Sequence, residues 1–379
     1  MHMSTPFEQQ YRGATRDGSQ DELPVASPKT EDETRELLRF AAKDGLKVLP
    51  RGCGTSLGLE EPRRRADFVI DTTQLAGVIA FEPSDGTVTA LAGTTMASLA
   101  ELAAGSGRRL CPDLAHTKST LGGAIASGRT GEDRLRYGPM RDQVLGLRAM
   151  LSADISSKSG GRLVKNVAGY DLHRAHCGGR GQYGLIVEAT LRLHPALPKE
   201  LHLMRRFDSL EAAIDSGNQI LSTPCRPLSI RVWHNDDETS LQVHLGGRED
   251  VVSAEVLLLE SKLGDLQETT SRPLPQTQIR LDGPISRTID AAHWVEVIRK
   301  KAGASHLIAD LGIASVCLAT TPTSHGGSCQ QASIAALPAR PKGTDLFGAT
   351  QPGTSPSAAI VALQSRVATS LDPLGIFSR

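Results

Sequence analysis

Three glycine-bearing segments, set in order along the first half of the chain, restrict this sequence more than any other feature. They are LPRGCGTSLG (Leu49 to Gly58), LGGAIASG (Leu121 to Gly128) and GGRGQYG (Gly178 to Gly184). Glycine lets backbone approach backbone, or a bound group, with no side chain between them. The first segment follows a short predicted strand, Lys47 to Leu49. Its alternating glycines turn successive N–H groups to one side, which makes an anion-binding nest suited to a pyrophosphate. Thr55 and Ser56 add hydroxyl donors. The loop is not a Walker loop, because no Lys-Ser/Thr follows the glycines at the required spacing, nor does it open a long helix as G-x-G-x-x-G does. A purely structural turn is the competing reading at this point.

The second segment lies within Cys111 to Asp142. Gly122-Gly123 removes two side chains where a flat ring could rest on backbone, and Ser119 and Thr120 offer hydroxyls just before it. Arg134, Arg136 and Arg141 offer positive charge near phosphates. The plainer alternative is a small-residue helix packed closely on a sheet. The third segment launches the clearest strand, Leu185 to Leu193. There Leu185, Val187, Ala189, Leu191 and Leu193 alternate with Glu188, Thr190 and Arg192, a period of two.

Around these landmarks the chain reads as α+β. Residues 1–26 form a polar tail. Thr30 opens the capping box T-E-D-E with Glu33 at N3, and a helix runs from there to Gly45. Short strands are expected over 67–71, 78–81 and 87–92, with Ser84-Asp85-Gly86 as a turn. A helix over 95–104 buries Met96, Leu99 and Ala103; Leu121 to Gly128 is a short helix and 143–152 a strand. Pro195 and Pro198 mark a boundary. The next elements, strand 201–207, helix 209–221, strands 228–233 and 241–245 and helix 251–263, follow the β-α-β-β-α order of a ferredoxin-like layer. Residues 322–357, rich in Gly, Ser, Pro and Ala, read as a flexible loop, and a last helix is expected over 357–370.

Composition removes several function classes. Lys plus Arg and Asp plus Glu both total 42, so net charge is zero, and a nucleic-acid binder would need a basic face. The six cysteines contain no C-x-x-C and suggest a reducing compartment. No stretch approaches the length of a membrane span, and the start lacks the pattern of a secretory signal. A cytoplasmic protein is expected, placed at the inner membrane face only through a partner.

The three segments in this order resemble the FAD-binding domain shared by vanillyl-alcohol oxidase, D-lactate dehydrogenase and glycolate oxidase. KNVAGYDL, Lys165 to Leu172, is especially similar to the FAD-binding subunit of glycolate oxidase, and LDPLGIFSR resembles that family's closing Asp-Pro-x-x-Ile-Phe. The resemblance covers about residues 28–198 and the second half only in outline. It implies a two-subdomain FAD-binding (PCMH-type) fold of the vanillyl-alcohol-oxidase type over 27–198. A ferredoxin-like α+β cap domain over 199–379 follows. It further implies non-covalent FAD. Pro50, Arg51, Gly52, Cys53, Gly54, Thr55 and Ser56 would hold the pyrophosphate. Asp113, Ser119, Thr120, Leu121, Gly122 and Gly123 would line the isoalloxazine and phosphates, and Ser127 and Ile186 would complete the pocket.

Three departures from the family stand out. Cys53 replaces a common Gly, Gly181-Gln182-Tyr183-Gly184 replaces Gly-Thr-Leu-Gly, and Ala153-Asp154-Ile155 replaces an Asp-Gly turn.

The implied activity is oxidation of a 2-hydroxy acid of glycolate type, with a homologous flavin subunit and an iron–sulfur subunit as partners. That reaction needs a base and usually an Arg for the carboxylate. The metal-binding G-H-x-G-D-G-N-x-H stretch of related enzymes is missing, and Ser324-His325-Gly326-Gly327 matches it poorly. No catalytic residue and no metal ligand is therefore assigned. His173 and His176 with Cys177 lack further ligands for a metal, and His234 and His244 read as sheet-surface residues. A non-catalytic structural or electron-relay subunit is the alternative. A wall-precursor reductase of the same superfamily is the third reading, against which KNVAGYDL speaks.

Overall fold

The computed structural model describes residues 23–55, 66–111, 118–131, 133–161, 171–270, 277–282, 306–311, 315–319, 345–347 and 377. The expected tail before residue 23, the KNVAGY stretch, the 322–357 loop and the 357–370 helix lie outside them.

The first layer grows from strand β1 (Val25–Ala26), helix α1 (Glu31–Asp44), and strands β2 (Val48–Arg51) and β3 (Phe68–Asp71). Thr30 caps α1 as expected, its hydroxyl accepting the Glu33 N–H at 3.2 Å. The reciprocal arm differs: the Glu33 carboxylate accepts from the Lys29 N–H at 2.6 Å, one residue earlier than a capping box places it. Glu31, Asp32 and Glu33 face the positive helix start, and Gly45 ends the helix in the left-handed region at φ 64°. The strands pair in parallel in the order β1-β3-β2. Leu38, Val48, Phe68 and Ile70 form the core beneath α1. Phe377 joins that core fully buried and bridges in parallel to Val48, at the edge of β2 that β3 leaves open.

The second layer is an antiparallel sheet. It contains β4 (Val78–Glu82), β5 (Thr87–Leu91), β6 (Arg108–Leu110), β7 (Val144–Met150), β8 (Ser156–Gly160) and β9 (Leu185–Pro195). Their order is β4-β5-β9-β7-β8, with β6 also on β9. Helix α2 (Met96–Ala104) buries Met96, Leu99 and Ala103, the three residues its spacing indicates. The β7–β8 turn, without the expected glycine, closes through Ser152, whose hydroxyl accepts the Ile155 N–H at 3.2 Å.

Strand β9 departs from simple alternation. Opposite Arg148 and Ala149 the pairing jumps from Glu188 to Ile186, leaving Val187 as an extra residue. A bulge of this kind exchanges the two faces. Leu185 and Val187 therefore enter the α1 core, whereas Ile186, Ala189, Leu191 and Leu193 enter the α2 core. One strand serves two cores, which is why hydrophobic residues occupy both of its faces.

The third layer comprises β10 (Lys199–Phe207), a helix over Leu210–Leu221, β11 (Ser229–His234), β12 (Thr239–Gly247), a helix over Glu249–Leu263 and β13 (Gln267–Thr269). Strands β14 (Thr277–Asp282), β15 (His306–Asp310), β16 (Ser315–Ala319) and β17 (Asp345–Phe347) extend it. The sheet is antiparallel in the order β13-β10-β12-β11-β15-β16-β14-β17. Both helices pack their apolar residues into one core with Ile230, Val232, Leu241 and Val243.

Side chains stitch this layer to the preceding one. Arg109 of β6 lies 3.5 Å from Asp133 and 2.9 Å from Glu200 of β10. With His244 and Arg109 as hydrogen-bonding partners, Glu200 is held down at about 2. The Arg136 guanidinium donates to the Gly246 and Arg226 carbonyls, and Leu135 packs on the third core. Among the described residues no helix is long and apolar enough to cross a membrane.

Candidate cofactor site

The three glycine segments converge. The first, at the end of β2, is anchored by its flanks: the Arg51 guanidinium pairs with Asp71 at 3.0 Å, and Thr72 donates its hydroxyl proton to the Arg51 carbonyl at 3.1 Å. Asp71 is buried in part, which raises its pKa, but hydrogen bonds from Thr73 and Arg51 and the Arg51 charge outweigh this and lower it overall. Gly54 turns the loop at φ 72°. Thr55 and Ser119 share a hydroxyl–hydroxyl bond of 3.0 Å, tying the first segment to the second. Gly52 lies so close to Thr120 that a Cβ there would sit 2.1 Å from the Thr120 Oγ1. Cys53 is exposed and does not fill the space between the loops.

The second segment is helix α3 (Leu121–Ser127), capped by Thr120, whose hydroxyl accepts the Gly123 N–H at 3.2 Å. The two glycines differ in their surroundings. A Cβ on Gly122 would lie 2.8 Å from the Ala92 Cβ, and the Gly122 N–H donates to the Ala92 carbonyl at 2.8 Å, so Gly122 is there for close packing. Among the described residues, a Cβ on Gly123 would meet only the Thr120 hydroxyl. Its open side is where a flat ring has room to approach.

The third segment completes the contact. Gly178 and Arg180 donate their N–H groups to the Ile125 and Ala126 carbonyls of α3, at 3.0 and 2.8 Å. Gly181 (φ 76°) sits against the Pro50 ring, where an added Cβ would lie 3.3 Å away. Tyr183 packs against Gly179 and meets His176 edge-on at 6.5 Å. Arg180 adopts φ 54°, the one positive φ outside glycine among the described residues. That conformation costs an L-residue roughly 1–2 kcal/mol, and no sequence signal marks it.

The other expected residues are placed as follows. Ser127 donates its hydroxyl proton to the Ala124 carbonyl at 3.2 Å. The Ile186 side chain is 6% exposed within the α2 core. Leu121 is fully buried. Ser56 and Asp113 lie outside the described residues. Of the three arginines expected near phosphates, Arg134 and Arg136 lie on the short helix Arg134–Tyr137, where Arg136 is committed to the third layer, and Arg141 is exposed with Asp142 at 3.8 Å.

His176, beside this cradle, is 4% exposed, and burial followed by the neighbouring His173 holds its pKa down at about 4 against an ordinary 6.5. Above 6.5 it is neutral in folded and unfolded chains alike. Between 6.5 and 4 only the unfolded chain takes up the proton. Stability is therefore lost as pH falls through that window, by about 1.4 kcal/mol per unit. Thermal unfolding followed from pH 7 to 4 is expected to give His176→Met a slope shallower than the parent's by about that amount; equal slopes would remove His176 from the account.

A backbone nest, a hydroxyl pair and a helix wall open at Gly123 fit a diphosphate joined to a flat ring system. Comparison with known proteins agrees with that donor set. Residues 23–154 match the family model described as an FAD binding domain. The glycolate oxidase subunit GlcD of Bacillus subtilis is 28% identical over 207 residues, covering 54% of this chain and 44% of that protein. The glycolate oxidase subunit GlcE of Escherichia coli is 32% identical over 180 residues, 47% of this chain and 50% of that protein. The D-lactate dehydrogenase of Archaeoglobus fulgidus is 29% identical, over 50% of this chain and 43% of its own length. The chain thus spans about half the length of the curated relatives it matches. A solved structure of alkyldihydroxyacetonephosphate synthase superposes with a TM-score of 0.65 over 93% of this chain and 75% of that one, at 17% identity. That likeness concerns the mixed helix-and-sheet fold.

Proposed function

We propose that this chain, whose residues 23–154 match the FAD binding domain family, is an FAD-dependent oxidoreductase acting on a 2-hydroxy acid of glycolate type. The observation that carries this reading is the meeting of the three glycine segments, with Gly52 against Thr120 and Gly181 against Pro50. Bound FAD supplies the hydride acceptor. The chain's own part is to hold it: the Pro50–Ser56 loop on the diphosphate, Ser119 to Gly123 with Asp113 along the ring and phosphates, and Ser127 and Ile186 behind. The names of the relatives support the substrate class, being glycolate oxidase subunits and dehydrogenases of D-lactate and D-2-hydroxyglutarate.

We read residues 27–198 as the FAD lobe and 199–379 as the cap. The order β13-β10-β12-β11 supports a ferredoxin-like unit at the cap's start. Two differently named glycolate oxidase subunits among the relatives support work within a complex. There a homologous flavin subunit and an iron–sulfur subunit would be the partners, in the cytoplasm or at the inner membrane face through one of them.

The purified protein is expected to absorb near about 370 and 450 nm, as bound flavin does, and to reduce an artificial dye with glycolate, D-lactate or D-2-hydroxyglutarate. Flavin bound with no dye reduction by any of the three would mark an electron-relay subunit. A colourless protein that cannot be reconstituted would end the FAD reading.

A further inference from the structure

We propose that one face of the third-layer sheet carries the site for the 2-hydroxy acid, His244 accepting a hydrogen bond from its hydroxyl and Gln242 donating one to its carboxylate; this deepens the reading above and rests on it.

The register of the sheet sorts its two faces. Leu241, Val243 and Leu245 of β12 enter the core beneath the two helices, as do Ile230 and Val232 of β11. Alternation turns Ser240, Gln242 and His244 to the opposite face. Contacts place that face. The His244 ring stacks on His202 of β10 with centroids 3.8 Å apart, and its Nε2 lies 3.0 Å from the Glu200 carboxylate. Glu200 also accepts from Arg109 of the second layer at 2.9 Å. The face thus looks toward the FAD lobe. Arg109 stands four residues before Asp113, which the FAD reading sets along the ring.

The second observation is that polar atoms on this face are buried and unanswered. Ser240 has no exposed surface, and His244, which the sequence places on the sheet surface, is 8% exposed. The Ser240 Oγ, Gln242 Nε2 and His244 Nδ1 have no hydrogen-bond partner among the described residues. Buried polar atoms left in this way are costly and uncommon. Three of them at alternate positions of one strand point to a ligand that supplies their partners.

Donor and acceptor chemistry narrows that ligand. The Glu200 carboxylate beside Nε2 keeps the imidazole proton on that nitrogen, so Nδ1 is an acceptor and suits an O–H group. The Gln242 amide nitrogen is a donor and suits a carboxylate oxygen. Residues two apart on a strand are separated by about 7 Å. A molecule of two or three carbons bridges that gap with a hydrogen bond at each end. A hydroxyl and a carboxylate on adjoining carbons are the two groups of a 2-hydroxy acid.

The test titrates glycolate and D-lactate calorimetrically against acetate and propionate, which lack only the hydroxyl. The flavin is reduced beforehand under argon, so that the hydroxy acids bind without reacting. The parent is expected to bind each hydroxy acid roughly tenfold or more tighter than its plain counterpart, as a site built around a hydroxyl does. His244→Phe keeps a ring to stack on His202 but has no Nδ1. It should lose roughly tenfold in affinity for the hydroxy acids and hold acetate and propionate within about threefold. Gln242→Leu should weaken all four acids by roughly tenfold. It should melt no lower than the parent, because the amide nitrogen it removes has no partner in the empty protein.

An equal loss of hydroxy and plain acids in His244→Phe would overturn the proposal, since the histidine would then be a packing residue. So would unchanged binding by Gln242→Leu, or a parent that does not distinguish the two kinds of acid. A parent whose oxidised flavin is bleached by a hydroxy acid, beside variants that bind like it, overturns this proposal alone. A parent that binds no hydroxy acid, and whose oxidised flavin none of them bleaches, overturns the reading beneath it as well.

Discussion

Phe377→Ala is expected to lower the unfolding free energy by about 3–5 kcal/mol, the usual cost of emptying a fully buried aromatic site. Phe377 has no exposed surface and shares a core with Leu38, Val48 and Phe68. A loss of that size is a large part of the roughly 5–15 kcal/mol that holds a domain together. Its effect reaches the candidate site, because the residue bridges to Val48 on the strand that runs directly into the nest loop. Urea unfolding of the variant should show a lower midpoint, with flavin released earlier in the titration. Phe377→Leu should recover most of the stability. A change below about 1 kcal/mol in the alanine variant would show that the bridge to Val48 does not matter to the lobe.

Gly52→Ala should cost the protein at least tenfold in FAD affinity. The new Cβ would lie 2.1 Å from the Thr120 Oγ1, so that hydroxyl must leave its place. In leaving, it gives up the Gly123 N–H that it caps, a loss of about 1 kcal/mol. Thr120→Ala removes the same hydroxyl in advance, and the nearest remaining atom, the residue-120 Cβ, stands 3.2 Å away. The double variant is therefore expected to be little worse than Thr120→Ala alone. A double-mutant cycle on urea stability should give a coupling of about 1–2 kcal/mol. Strict additivity of the two changes would mean that the loops do not meet through this contact.

Local features of the fold could be read before the structure was known. The Thr30 cap, the Gly45 stop and the buried face of α2 follow from spacing within one turn of helix, where neighbours in sequence are neighbours in space. The glycine segments were legible as sites of close approach. What each approaches was not, since Gly122 meets strand residue Ala92 while Gly123 stays open, and both look alike in sequence. The bulge at Val187 was hidden for a related reason. An extra residue in a strand shows only against its partner, and that partner lies about forty positions away at Arg148. Arg136 was expected near phosphate because it follows the glycine helix. Its destination is set by two carbonyls roughly a hundred residues downstream, which no local pattern encodes. Arg180 escaped notice because a backbone angle leaves no trace in composition.

The dual membership of β9 bears on how this molecule assembles. It pairs with β5, about a hundred positions upstream, and also with β6 and β7, while filling the interiors on both of its sides. Neither interior can close until residues 185–195 have been threaded into the middle of the sheet. Closing such long loops carries an entropic toll that short-range contacts cannot repay early, and topologies of this kind gather slowly. Two halves that a diagram would draw separately are therefore bound to form, and to come apart, in a single event.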